Sequence, residues 1–265
     1  MTPRERVLAA LNHQESDRVP VDFSGHRSSG ISAIAYGKLR EYLGLPPRKV
    51  WVYDPIQQMA VVDEDVLDRF GIDTIELGRG FALDDAQWED WTLPDGTPCQ
   101  IPVWVKPEPG EGGWVLRAKN GKTIARMPAG VLYFEQCYYP FAEEADLDKV
   151  RDALDECMWT SIASPPGPLV AGPEGRQRLI DGAKALRRKT DRAILGLFGG
   201  NLLETGQFLF RNDNFLMLLA GDPQKAHRFL DILVEIHLQN LEAFLGAVGD
   251  SIDIIVFGDD LGMQK

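Results

Sequence analysis

A parallel α/β protein is the fold class this chain predicts, and three observations carry it. Short apolar runs end in glycine and polar residues, as buried parallel strands do. Amphipathic helical stretches with capping signals lie between those runs. The last and clearest run, Ile252 to Phe257, is broken only by Asp253 and delivers Gly258-Asp259-Asp260 at its end. In parallel α/β folds, substrates are held where strands end, because the strand fixes a side chain while the following loop leaves it accessible.

The elements follow in order. Thr2-Pro3-Arg4-Glu5 starts a helix, with Thr2 as cap, Pro3 in the first turn and Glu5 able to reach back to the cap amide. Arg18 to Phe23 reads as a first strand, with Pro20 tolerable only near its start or at an edge. It runs into the polar loop Ser24 to Gly30. Ile34 to Leu43 is a helix closed by Gly44, and Asp54-Pro55 opens another that continues, with a break near Asp63, to Phe70-Gly71. Asp73 to Leu77 is a second strand. Between residues 87 and 134 tryptophans and β-branched residues alternate with polar ones, punctuated by Pro94-Asp-Gly96, Glu111-Gly-Gly113 and Asn120-Gly121. That is hairpin chemistry, and it predicts an inserted β-meander.

Leu147 to Met158 and Glu174 to Arg188 are amphipathic helices on either side of the loop Ser164 to Pro168. Ala193 to Gly200 is a third strand, buried and glycine-rich. Asp222-Pro223 then starts a long helix whose stripe contains Ala226, Phe229, Leu233, His237, Leu241, Phe244 and Val248. Ile252 to Phe257 is the fourth strand.

With 265 residues, 44% hydrophobic and 26% charged, the chain has ample material for a core. A net charge of −12 argues against nucleic acid and anionic membranes as main partners, since both are polyanions. No apolar run approaches the roughly 20 residues of a membrane helix, and no apolar signal segment opens the chain. A cytoplasmic protein is expected. The three cysteines, Cys99, Cys137 and Cys157, are widely spaced, as reduced thiols are, and with the four histidines they form no metal signature.

Three segments carry candidate chemistry. Asp259 and Asp260 stand at a strand end and are the first catalytic candidates; the alternative is that one of them caps a helix. His26 can act as acid or base near neutrality, and Arg27 beside it can hold an anionic substrate by a two-pronged hydrogen bond; as loop residues both could equally be solvated. Phe198, Gly199 and Gly200 end the third strand, where glycines let a ligand or another backbone approach closely. Glu204 follows as a further substrate-binding candidate, and Gln264 lies just past the carboxylate pair. His237, at a helix midpoint, is expected to be a partnered core residue. If the four strands are parallel neighbours, these segments share one end of the sheet.

Met1-Thr-Pro-Arg-Glu-Arg-Val-Leu-Ala-Ala-Leu-Asn-His13, Asp17-Arg-Val-Pro-Val-Asp22, Gly196-Leu-Phe-Gly-Gly200 and Gly258-Asp-Asp-Leu-Gly-Met-Gln264, taken in this order, resemble the uroporphyrinogen decarboxylase superfamily. The resemblance implies a (β/α)8 TIM barrel, here with the meander inserted. It also implies a chain that holds only the N-terminal part of such a barrel in one domain, 1–265. Porphyrinogen decarboxylases and corrinoid-dependent methyltransferases both belong to that superfamily. The decarboxylases carry an arginine-rich loop after strand one, whereas here the loop is Gly25-His-Arg-Ser-Ser-Gly30, with a single arginine. One arginine in a protein of this charge would hold a polycarboxylate poorly.

The resemblance therefore points to a corrinoid (cobalamin)-dependent methyltransferase. It would move a methyl group between a small methylated substrate and a corrinoid or thiol, with the corrinoid on a separate carrier protein in many members. Zinc, which that branch uses, would find its ligands beyond Lys265. The rivals are a carboxy-lyase acting on uroporphyrinogen or another acid, and a non-catalytic binding module. A homo-oligomer is compatible with each.

Overall fold

A computed structural model gives the architecture, and it describes residues 1–80, 85–110, 112–162 and 170–261. The chain divides into two compact units. One comprises Met1–Val105, Ala163–Leu197 and Leu245–Val256; the other comprises Lys106–Ile162, Phe198–Phe244 and Phe257–Lys265.

In the first unit, helix α1 (Pro3–Leu11) starts on the expected capping box: Glu5 N–H donates to Thr2 Oγ1 at 3.2 Å and Thr2 N–H donates to the Glu5 carboxylate at 2.8 Å. Helix α2 (Ala33–Tyr42) is capped by Ser32 and closed at Gly44, whose φ of +64° suits glycine. The stretch expected as a helix from Asp54 begins instead as a strand. β1 (Val50–Asp54) turns through Pro55–Gln58 into β2 (Met59–Ala60), and only then does α3 (Glu64–Arg69) form. The reason is the Asp54 side chain, which accepts hydrogen bonds from Ile56 N–H at 2.9 Å and Gln57 N–H at 3.3 Å and so closes a turn where Asp-Pro suggested a helix start.

The three later strands of the sequence reading are present as β3 (Thr74–Glu76), β10 (Ala193–Gly199) and β11 (Ile254–Phe257), in the order β11-β10-β3. β10 and β3 are parallel, with Ile194 opposite Ile75. The expected first strand is not a strand. Asp73 N–H still donates to the Val21 carbonyl at 2.8 Å, but Pro20 gives no donor and the chain turns off at Ser24 with φ +66°.

The single meander expected over 87–134 is two separate sheets. Its first hairpin, β4 (Trp88–Thr92) with β5 (Pro98–Pro102), joins the first unit in the order β2-β1-β5-β4, with β1 and β5 parallel. Tyr36, Val52, Val62, Leu67 and Ile101 fill the core beneath it. Helix α6 (Gly172–Lys189) belongs to this unit as well.

The second unit holds the rest: β6 (Glu108–Gly110), β7 (Gly113–Arg117), β8 (Thr123–Pro128) and β9 (Glu135–Gln136) in antiparallel order. The helix expected over 147–158 is broken into α4 (Val150–Leu154) and α5 (Met158–Ser161). Helices α7 (Leu203–Phe210) and α8 (Asn212–Gly221) follow, and α9 (Pro223–Val248) brings Phe229, Leu233 and Ile236 onto Phe210, Phe215 and Cys157. The architecture is mixed α/β with small open sheets, and no closed barrel forms among the described residues. No helix among them is long and apolar enough to cross a membrane.

Candidate functional site

In the second unit, β10 and β11 end side by side. Gly258 N–H donates to the Gly199 carbonyl at 3.1 Å, so the two tips are paired through their last residues. Beyond them the backbone turns sharply: Gly199 and Gly200 have φ of +81° and +72°. A side chain at Gly200 would start 3.1 Å from the Phe198 ring and 3.4 Å from the Phe257 ring. Phe198 meets Phe257 edge-on with centroids 5.6 Å apart, and Phe257 is 56% exposed, an apolar surface at the strand tips.

The turn places Asn201 and Glu204 at the start of α7. Helix α7 has no cap side chain of its own. Asp259 supplies it from the neighbouring strand: Oδ2 accepts from Leu202 and Leu203 N–H, both at 2.8 Å, and Oδ1 accepts from Glu204 N–H at 2.9 Å and Asp260 N–H at 3.1 Å. A carboxylate holding four backbone donors at a helix N-terminus is fixed in place. The capping alternative is thus realised by Asp259, although the helix capped precedes it in the chain. Asp260 is exposed.

Glu204 differs from both. Its side chain is partly buried, and it accepts a hydrogen bond from the Asn201 amide. Burial pushes its carboxyl pKa above the ordinary value, and the nearby charges of Asp260 and Asp259 push the same way, against the Asn201 bond. A carboxyl in this setting holds its proton to higher pH than a solvated glutamate, which is the direction acid and base work calls for.

Behind it, His237 Nε2 donates to the Asn201 carbonyl at 3.1 Å; a carbonyl only accepts, so Nε2 carries a proton. The Thr205 hydroxyl donates to the same carbonyl at 2.7 Å. His237 is a partnered residue that holds the turn, as its place on the helix stripe suggested.

The first unit holds the other candidates. His26 Nδ1 accepts from Ser28 N–H at 3.1 Å and caps a single 3-10 turn, Arg27–Ser29. Burial, and then the adjacent Arg27 cation, lower its pKa, so the ring stays neutral further into the acid range than a solvated histidine. Arg27 Nη1 lies 3.3 Å from Asp54 Oδ2, and that carboxylate is fully buried. The Tyr53 hydroxyl is hydrogen-bonded with Glu76, and burial followed by the Glu76 charge raises the phenol pKa well above its usual value. Thr74 hydroxyl and Gly25 N–H both donate to Asp22, which pins the loop; a side chain at Gly25 would start 2.3 Å from that carboxylate.

His26 and Arg27 are therefore anchored residues of one unit, and Phe198, Gly199, Gly200, Glu204, Asp259 and Asp260 belong to the other. Gln264 lies outside the described residues. The sequence reading left Asn201 out altogether; an amide one residue past a double glycine and three before a glutamate was the signal for it. No group of three or more histidine, cysteine, aspartate or glutamate side chains able to hold a metal occurs among the described residues. Comparison with family models, with curated proteins and with solved structures gave no match.

Proposed function

We propose that the Glu204 cluster is a proton-transfer site serving methyl transfer, in a barrel of the uroporphyrinogen decarboxylase type that works with a corrinoid. The observation that carries this reading is the setting of the Glu204 carboxyl: it lies partly buried at the start of α7, held by the Asn201 amide, with burial and the charges of Asp260 and Asp259 raising its pKa, next to the strand tips where Phe257 is exposed. Taking a methyl group from a small donor leaves a heteroatom that needs a proton. Glu204 supplies it, Asn201 orients the carboxyl, and Asp259 and Asp260 keep its proton affinity high. A corrinoid, when bound, would take up or return the methyl group.

The chain fits such a partner in one respect: Phe257 and Phe198 offer a ring surface to a flat macrocycle, and the Gly199-Gly200 turn lets it come close. Among the described residues no side chains form a zinc donor set, and the proton transfer rests on Glu204, Asn201, Asp259 and Asp260.

Decarboxylation is the second reading, because a carboxylic acid also protonates the carbanion left when CO2 departs. It ranks below methyl transfer because Arg27, the one arginine of its loop, is already paired with buried Asp54. A substrate rich in carboxylates would find that cation engaged.

The deciding experiment compares wild type with Glu204→Gln, which keeps shape and hydrogen bonding but removes the proton. Corrinoid-dependent turnover of a panel of methylated amines, ethers and thioethers should fall ~10²-fold or more in the variant. Equal rates would remove Glu204 from the mechanism. Corrinoid-independent CO2 release from carboxylic acids would move the assignment to the lyase reading.

A further inference from the structure

In the first unit a cavity of about 280 Å³ is lined by Arg48, Lys49, Trp51, Asp63 and Gln100. Ligand pockets run from roughly 300 to 1,000 Å³, so a single ring with one substituent is the size it takes. Its wall is an indole whose hydrogen bonding is already complete. Trp51 stands opposite Gln100 in the parallel β1/β5 pair, and its Nε1–H donates to Gln100 Oε1 at 2.7 Å. Trp88 stacks on Trp51 with centroids 4.8 Å apart and planes within 10°. One face of the indole is therefore backed by Trp88 and its N–H is used, so Trp51 gives the cavity an apolar ring surface.

The cations at the rim are in the opposite condition. Arg48 is 53% exposed and forms an ion pair with Asp63, at 3.4 Å. That carboxylate is already taken by buried Arg40 at 2.8 Å and by the Tyr36 hydroxyl at 2.6 Å, which leaves most of the Arg48 fork unused. Lys49 reaches Asp90 at 3.0 Å, an exposed pair that solvent screens. Asp90 also accepts from Gln100 Nε2 at 2.9 Å, so Lys49 shares its partner.

The geometry points to a binding site for a flat aromatic ring bearing an anionic group, with the ring against Trp51 and a carboxylate or phosphate held by Arg48 and Lys49. A planar guanidinium recognises both anions by two parallel hydrogen bonds, and rings stack on indoles. Nothing in this assignment depends on the Glu204 chemistry.

Titration of the full chain, labelled with nitrogen-15, with benzoate and with phenyl phosphate tests it, and benzamide serves as the neutral control. Either anion should shift the Trp51 indole N–H resonance saturably, and whichever binds tighter names the anionic group. Benzamide should bind at least about tenfold more weakly. The double variant Arg48→Ala/Lys49→Ala changes exposed residues only and should lose about tenfold or more in affinity for the anion. Trp51→Leu should abolish binding while the circular dichroism spectrum stays that of wild type. Absence of a saturable Trp51 shift with both anions would overturn the proposal, as would unchanged affinity in the double variant or equal binding of benzamide.

Discussion

Two withdrawn carboxylates, Asp73 in the first unit and Glu204 in the second, show how differently one fold uses the same chemical group. Asp73 is completely buried and fully compensated. Arg6 Nη1 lies 2.5 Å from Oδ1, Arg18 Nη1 lies 2.7 Å from Oδ2, and Val21 N–H donates to Oδ2 at 2.8 Å. Glu204 is partly buried, has one amide donor and faces two carboxylates. A carboxylate that sits among cations is part of the framework, because its charge is what the surroundings were built to hold. Where a carboxyl is set among other carboxyls, the surroundings favour its neutral form, and that poise is useful only for chemistry.

The largest effect expected from breaking this contrast is at Asp73. Asp73→Ala removes the shared partner of Arg6 and Arg18 at once and leaves Arg6, which is almost entirely buried, with Asp17 as its ion-pair partner and the Met1 carbonyl as an acceptor. Removing one member of a buried pair costs roughly 3–5 kcal/mol, and the surviving Asp17 contact puts this case at about 3. Urea unfolding should show it as a lower midpoint with unchanged slope. Glu204→Gln should leave the midpoint nearly in place, and a comparable loss in both variants would erase the distinction.

Asp259 sits between these extremes, since it is held by backbone donors and adjacent to the proposed chemistry. Asp259→Ala strips the start of α7 of its cap, at a cost of about 1–2 kcal/mol. Hydrogen exchange should report it as faster exchange at Leu202, Leu203 and Glu204 N–H. Unchanged protection at those amides would mean that the cap is not formed in solution.

The pH dependence of stability should separate the two kinds of carboxyl by sign. Asp17, bonded to Arg6 and then to the N-terminal ammonium, has its pKa lowered in the fold, so its contribution is present above the ordinary carboxylate pKa and is lost as pH falls through the depressed value. The Glu204 pKa is raised, so its contribution is present below the unfolded value of 4.5 and is lost as pH rises through the folded one. Stability measured across pH 3 to 8 in Asp17→Asn and Glu204→Gln should therefore deviate from wild type in opposite directions. Deviations of one sign would contradict the assigned environments.

How much of this was legible depends on how far apart in sequence the partners lie. The Thr2/Glu5 capping box, the strands β3, β10 and β11, and the Asp222-Pro223 start of α9 are local signals, and they were read correctly. β1 is missing from the sequence reading, although Val50-Trp-Val-Tyr-Asp54 is a run of β-branched and aromatic residues, and the Asp-Pro pair at its end suggests a helix start where the structure has a turn. The splitting of the tryptophan-rich segment into two sheets was not legible. It depends on β5 pairing with β1 across some fifty residues, and hairpin punctuation does not encode that choice. Asp259 and Asp260 were picked out by their place at a strand end, but which of them caps a helix depends on α7, whose capped amides lie more than fifty residues earlier. The sequence marks Glu204 as a substrate contact, and only its neighbours in the fold raise its proton affinity.

The smallest effect concerns Asp260, the exposed member of the pair. Asp260→Asn changes a solvent-facing side chain and should move stability by no more than about 0.5 kcal/mol. Its consequence lies in the proton affinity of Glu204. After burial, the Asp260 charge is the foremost influence raising that pKa, and removing it leaves burial and Asp259 to act against the Asn201 bond. Glu204 should then lose its proton at lower pH, so the alkaline limb of turnover moves toward acid while the rate well below that limb stays near wild type. Asp259→Asn should shift the limb in the same direction but also destabilise α7, which the Asp260 variant does not. A pH profile of Asp260→Asn superimposable on wild type would show that this carboxylate is solvated and uncoupled, and Glu204 would then owe its poise to burial and Asp259 alone.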